Sequence, residues 1–291
     1  MNRLVDIDEA AALLGAGDLV AIPTETVYGL AARADDAAAL RHVFEAKGRP
    51  TTHPLIVHLA SASDLDAWAA EVPPSARRLA DVLWPGPLTL VVKRSARALD
   101  AVTGGRDTVA LRVPRHPLAL ELIRRVGPLA APSANVFGRV SPTTAAHVMS
   151  EPFARDVAVL DGGACEVGLE STIVDVTSAI PTLLRPGGVG LESIEDVLGA
   201  PIADGRGGES RAPGMMASHY APRARVIAVR EGEGESVGMV GRIARLVPRA
   251  DTLYAELRRL DAEGVDVIVI ELPREEGLGL AIADRIRRAA H

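Results

Sequence analysis

The sequence is poor in cysteine, aromatics, long apolar runs and lysine, and each shortage excludes something. A lone cysteine, Cys165, cannot close an internal disulfide, so a reducing cytosol is the expected setting. Two Trp, three Tyr and three Phe leave little surface for stacking unpaired bases. No stretch approaches the ~20 apolar residues that cross a bilayer, and no membrane partner is expected. Positive charge is missing near the start, where Asp6, Asp8 and Glu9 stand in place of the basic then apolar pattern of a secretory signal. Lysine occurs only at Lys47 and Lys93, every other basic residue being arginine, which draws attention to those two positions.

What is present describes a globular enzyme-sized chain. Its 291 residues suit one large domain or two smaller ones, and 48% hydrophobic with 24% charged residues excludes a disordered polymer. The formal charge is −6. Residues 201–291 balance at fourteen acidic and fourteen basic, so the whole deficit lies in residues 1–200. A net-acidic chain is a poor general ligand for nucleic acid, and direct tRNA binding is expected to be weak or absent.

Short β-branched or apolar runs predict strands at 19–22, 55–59, 88–93, 108–113, 157–160, 172–176 and 182–184. Helical spacing predicts helices at 36–46, 75–83, 117–126 and 193–198. Strands and helices mix without strict alternation, which favours an α/β fold with a large, twisted, mixed sheet. The texture changes at Ala203, where ADGRGGES reads as a linker, followed by the apolar island APGMMASHYAP ending at Pro222. From Arg223 a second α/β pattern begins, with strands at 225–229 and 265–271 and helices at 252–263 and 278–289. The expected organisation is therefore 1–202, a connecting segment 203–222, and a small domain 223–291.

The sequence has no Walker A loop, dinucleotide fingerprint or zinc-like histidine spacing, and a metal cage built from protein ligands is not expected. The candidates are polar residues at strand ends and in Pro/Gly turns. Thr24 and Thr26 leave a strand end in PTETVYGL, either capping a turn or facing a ligand. Lys47-Gly48-Arg49-Pro50 ends a helix. It is either a basic C-terminus with a glycine cap, or a clamp in which an ammonium and a guanidinium grip different oxygens of one polyphosphate. His53 and His58 bracket an apolar run and each has a structural alternative. Arg112, inside TVALRVP, either points outward or needs an anionic partner. APSAN, Ser141-Pro142-Thr143, LEST and Arg185-Pro186-Gly187 place hydroxyls and a cation beside strand ends. Cys165 reads as a small buried hydrophobe. Together these residues imply an anion-binding cleft of unspecified substrate.

The ordered series PTETVYGL, KGRP…HPLIVH, WPGPLTLVV, TVALRVP, APSAN…SPT, GLESTIVDV and LRPG closely resembles the YrdC-like family. The island PGMMASHYAP with an α/β segment after it resembles that family's long two-domain form, the threonylcarbamoyl-adenylate synthases. The resemblance implies a YrdC-like sheet followed by a smaller Rossmann-like domain, shortened here. It implies a nucleotidyltransferase that condenses L-threonine, bicarbonate or CO2, and ATP, releases pyrophosphate, and supplies a downstream tRNA threonylcarbamoyl transferase complex. Thr26, His58, Arg112, the backbone around Ala131, and Ser171 would take threonine, with Arg112 meeting its carboxylate. Lys47, Arg49, His53, Thr108, Ser133, Asn135, Ser141, Arg185 and Tyr220 would take ATP, Lys47 and Arg49 acting catalytically on its phosphates. Mg2+ would arrive with ATP; the further expectation is that the Gly-rich segment from Ala203 to Ser210 and residues 212–222 close over the nucleotide and exclude water. Two other roles are open to this fold: an RNA-binding or ribosome-assembly module, and a carbamoyl-transfer domain of hydrogenase-maturation enzymes. The latter carries zinc fingers that a single cysteine cannot supply.

Overall fold

The computed structural model describes residues 3–206, 213–214, 220–230 and 241–290. Most of segment 207–219, including part of the proposed closing element, and all of 231–240 lie outside the described residues. Among the described residues, one sheet has eleven strands. Their spatial order is Arg3–Val5, Ala158–Leu160, Val20–Ile22, Gly29–Arg33, Leu129–Ala130, Ile56–His58, Thr108–Arg112, Leu88–Lys93, Thr172–Asp175, Thr182–Arg185 and Ala203–Asp204. Ile56–His58 pairs in parallel with Thr108–Arg112, which pairs antiparallel with Leu88–Lys93, which pairs in parallel with Thr172–Asp175. The sheet is thus mixed, as the sequence pattern suggested.

Local chemistry sets the elements that carry the site. The helix Ala37–Lys47 starts where the Asp36 carboxylate accepts from the amides of Ala38 and Ala39, at 2.9 and 3.0 Å. It stops at Gly48, whose φ of 61° is the left-handed conformation that lets glycine cap a helix. Leu40, Val43 and Phe44 bury one face of it, so Lys47 is fixed as the last helical residue and Arg49 as the first beyond the cap. Trp84 packs in a large apolar core with Trp68, Leu79 and Leu88, its indole N–H donating to Leu88 O at 2.7 Å. The Arg185-Pro186-Gly187 turn backs directly onto 170–172: a Cβ at Gly187 would overlap the backbone of Glu170, Ser171 and Thr172, so only glycine fits.

The second sheet has three parallel strands, Arg225–Val229, Val267–Glu271 and Ile243–Leu246, in that order, with helices Leu253–Ala262 and Leu278–Ala289. The strand Ile243–Leu246 falls in the stretch that left little room for a further element. Half its residues are exposed and its alternation is weak, so the pattern did not show it. The first sheet extends to Asp204, two residues into the segment read as a linker. Other elements lacked a signal for physical reasons. Gly29–Arg33 contains no β-branched residue, and Leu129–Ala130 and Ala203–Asp204 are two residues each.

Candidate functional site

A cleft of about 660 Å³ opens where the strand ends of the first sheet meet the turns that follow them. Among the residues named from the sequence, it gathers Thr26, Lys47, Arg49, His58, Arg112, Ala131, Ser133, Asn135, Ser171, Arg185 and Tyr220. His53, Thr108 and Ser141 are not on its wall. His53 is half-buried and sets its ring edge-on to Phe137, which does line the cleft, at 5.3 Å. Thr108 begins a strand opposite Lys93. Ser141 is fully buried behind the wall and donates to Glu170 Oε1 at 2.6 Å.

At one end a buried ion pair dominates. Arg112 Nη2 and Glu25 Oε1 are 2.7 Å apart, both almost fully buried. Burial alone would raise the Glu25 carboxyl; the adjacent Arg112 guanidinium outweighs it and holds the group below its usual range. Arg112 Nη1 donates to Thr26 Oγ1 at 2.9 Å and Nε to Gly86 O at 3.2 Å. Thr24 Oγ1 gives its proton to Val27 O at 2.6 Å, so the 2.8 Å contact between the two threonines is a bond donated by Thr26. The cation in this apolar strand therefore has a partner within the protein, Glu25, which corrects the expectation that a ligand carboxylate alone accounts for it. His58 stands beside this pair, with burial first and Arg112 second pushing its pKa down to about 3, so its ring is neutral at ordinary pH. Ala131 lines the same end, its N–H already given to Ile56 O at 3.1 Å.

The other end collects Lys47, Arg49 and Arg185, which make no direct carboxylate ion pair among the described residues, although Glu170 lies close to Arg185. Lys47 Nζ donates to the carbonyls of Ser133 and Asn135. Arg49 Nη2 donates to Pro54 O at 2.9 Å, its buried Nε has no hydrogen-bond partner among the described residues, and the guanidinium lies 5.5 Å from the Phe137 ring centre. Arg185 donates to Ser171 O and Oγ at 2.8 and 3.1 Å and to Pro213 O at 3.0 Å. Burial pushes Lys47 well below the usual lysine value and Arg49 down to about 10, and it lowers Arg185 too. Asn135 donates to the Val136 and Arg139 carbonyls, which leaves its buried Oδ1 as an open acceptor. Tyr220 enters from the connecting segment with a left-handed φ of 63°, a conformation unfavourable to a residue with a bulky side chain. A Cβ on Gly214 would strike its hydroxyl, so Gly214 and Tyr220 of that segment meet at the cleft.

Cys165 packs as a small hydrophobe, its thiol pushed up to about 12 by burial, as the sequence implied. Lys93 is an exposed strand-end residue paired with Asp107 at 2.6 Å. Two acidic residues of the site went unread: Glu25, between the two threonines, and Glu170, in LEST. The available signal was a carboxylate in an otherwise apolar, hydroxyl-rich strand end.

The fold and the cleft define the class: residues 12–187 match the family model described as "Telomere recombination". Residues 189–291 match the model "Threonylcarbamoyl-AMP synthase, C-terminal domain". The threonylcarbamoyl-AMP synthase of Pyrococcus abyssi is 44% identical, the alignment covering 97% of this chain and 93% of the relative. The enzyme of the same name from Bacillus subtilis is 42% identical, over 98% and 92%. The crystal structure of P. abyssi Sua5 complexed with L-threonine superposes with a TM-score of 0.90 at 41% identity, covering 98% of this chain and 94% of that one. The chain belongs to the two-domain threonylcarbamoyl-AMP synthase family of enzymes. No helix among the described residues is long and apolar enough to cross a membrane.

Proposed function

We propose that the chain is a nucleotidyltransferase that makes L-threonylcarbamoyladenylate from L-threonine, bicarbonate or CO2, and ATP, for threonylcarbamoyladenosine modification of tRNA by a separate transferase complex. The observation that carries this reading is the cluster of Lys47, Arg49 and Arg185: three buried basic side chains that donate to carbonyl and hydroxyl oxygens, with one cleft-lining carboxylate, Glu170, beside Arg185. Buried positive charge only partly offset by Glu170 is costly, and a triphosphate supplies the anionic oxygens that complete the balance. Family membership selects ATP and threonine as the substrates.

In this reading residues 1–202 carry catalysis, 203–222 reach back to the nucleotide, and 223–291 form the smaller domain. Thr26, His58, Arg112, the backbone at Ala131, and Ser171 hold threonine. Neutral His58 can contact the substrate without adding charge. Threonine's amine, once deprotonated, captures CO2, and a carbamate oxygen attacks the α-phosphorus. The α–β bridging P–O bond breaks and pyrophosphate leaves with its electron pair. The protein's contribution is alignment and neutralisation of phosphate charge by Lys47, Arg49 and Arg185, with no covalent nucleophile. Ser133, Asn135 and Tyr220 line the nucleotide end directly; His53 and Ser141 act from behind Phe137 and Glu170. Thr108, off the cleft wall opposite Lys93, has no contact among the described residues that links it to the nucleotide end. Among the described residues no carboxylate or histidine cluster could hold a metal ion, so Mg2+ brought with ATP would be held by the nucleotide's own oxygens and would supply further neutralisation of triphosphate charge.

The test is pyrophosphate release by the purified chain. Release should require both L-threonine and bicarbonate; ATP turnover indifferent to threonine overturns the reading.

A further inference from the structure

Glu170 belongs to the turn before the strand Thr172–Asp175, lines the cleft, and is buried. Its two oxygens are divided between the two parts of the chain. Oε1 accepts from Ser141, in the first part. Oε2 accepts from the Tyr254 hydroxyl and from Arg285 Nε, both at 2.8 Å, and both on helices of the second sheet. Burial alone would raise this carboxyl, but the Arg285 and Arg185 guanidiniums beside it hold it at about 2.

Arg285 is fully buried and does more than pair. Its Nη2 donates to Pro186 O at 3.0 Å, fixing the turn that carries Arg185. Its guanidinium lies 4.9 Å from the Tyr220 ring centre. The Tyr220 ring in turn stacks on Tyr254, with centres 5.7 Å apart and planes at 23°. Arg185 and Tyr220 on the cleft wall, and Ser141 behind it, are thus all held through Glu170, Arg285 or Tyr254. An interface whose only purpose was adhesion would have no need to meet the cleft wall at a buried carboxylate.

We propose that Arg285 and Tyr254 are positioning residues for the nucleotide end of the cleft, acting through Glu170, so that the second domain forms part of the ATP site without touching ATP. This rests on the function proposed above. Buried, mutually satisfied charges keep their geometry together or lose it together, which gives the arrangement a discrete character.

The test uses the full chain with Tyr254→Phe, which keeps the ring stack and deletes one donor to Glu170, and with Arg285→Lys. KM for ATP should rise, about five-fold for Arg285→Lys and less for Tyr254→Phe, while KM for L-threonine stays within about two-fold. Ser141→Ala combined with Tyr254→Phe should raise KM for ATP by less than the product of the single effects, because both act on one carboxylate. A lower melting temperature with both KM values unchanged, or equal rises in both, overturns the proposal and leaves a simple interdomain staple. If the wild-type chain shows no threonine-dependent pyrophosphate release, the function itself is overturned. Calorimetric ATP binding by wild type and Tyr254→Phe then decides the positioning role alone, equal affinities counting against it.

Discussion

The two ends of the cleft treat buried charge in opposite ways. At the Arg112 end the cation is neutralised inside the protein by Glu25, and a neutral His58 stands beside the pair. At the Lys47 end three cations are held by carbonyl dipoles, a hydroxyl and an aromatic face. On the reading proposed above, the first end would keep its own charge balanced and read a small, overall neutral amino acid by shape and hydrogen bonds. On the same reading, the second carries positive charge only partly offset by Glu170, which a bound anion would relieve. Stability and function should therefore respond in opposite senses to mutation at the two ends.

The largest effect is expected at the paired end. Arg112→Met leaves Glu25 buried without its partner and should cost about 3–5 kcal/mol in denaturant titrations. Adding Glu25→Gln should return most of that stability without restoring turnover. A double variant as unstable as the single one breaks the comparison. At the other end, Lys47→Met should cut turnover by about 100-fold or more while leaving unfolding free energy unchanged or about 1 kcal/mol higher. Near-normal turnover, or marked destabilisation, contradicts the phosphate role.

A pH test sharpens the contrast. The unfolded chain protonates His58 below about 6.5, whereas the folded chain resists until about 3. Between those values the unfolded state binds the extra proton, so stability falls as pH falls, by up to about 1.4 kcal/mol per unit. His147, pushed down to about 4 by burial and then Arg258, adds a slope of the same sign over a narrower window. Comparing wild type with His58→Asn in urea between pH 7.5 and 5.5 isolates the His58 share; identical slopes would remove it. The smallest effect is at Lys93, whose pair with Asp107 is exposed to solvent. Lys93→Gln should change neither turnover nor melting temperature, which checks that the behaviour of Lys47 comes from burial and not from charge alone.

Much of this was legible because it is local. Asp36, the apolar stripe Leu40-Val43-Phe44 and Gly48 announce a capped helix ending in Lys47, and the two-residue step to Arg49 follows from it. The strand ends carrying Thr26, His58 and Ser171 could likewise be read from short apolar runs. What escaped notice depends on partners far along the chain. Arg285 lies 115 residues from Glu170, and no periodicity records such a pairing. Glu25 drew no attention because its partner Arg112 also lies in a different element. Thr108 illustrates a third limit: in the alternation of a strand apolar on nearly every residue, nothing says which face a hydroxyl will take.

The connecting segment is pinned at both ends. Ala203–Asp204 adds a strand to Thr182–Arg185 at the sheet edge, and Ala221 bridges Arg139, its amide donating to Gly138 O at 3.1 Å. Tyr220 at the cleft, and the second domain that follows it, are covalently joined to the first part of the chain and so held at an effective concentration on the order of millimolar. Contacts that would be too weak to assemble two separate polypeptides suffice within one. The sequence is therefore free to keep the second domain's grip modest. A chain severed between Asp204 and Tyr220 should lose nucleotide affinity by dilution alone, and regain it when the two pieces are mixed at millimolar strength.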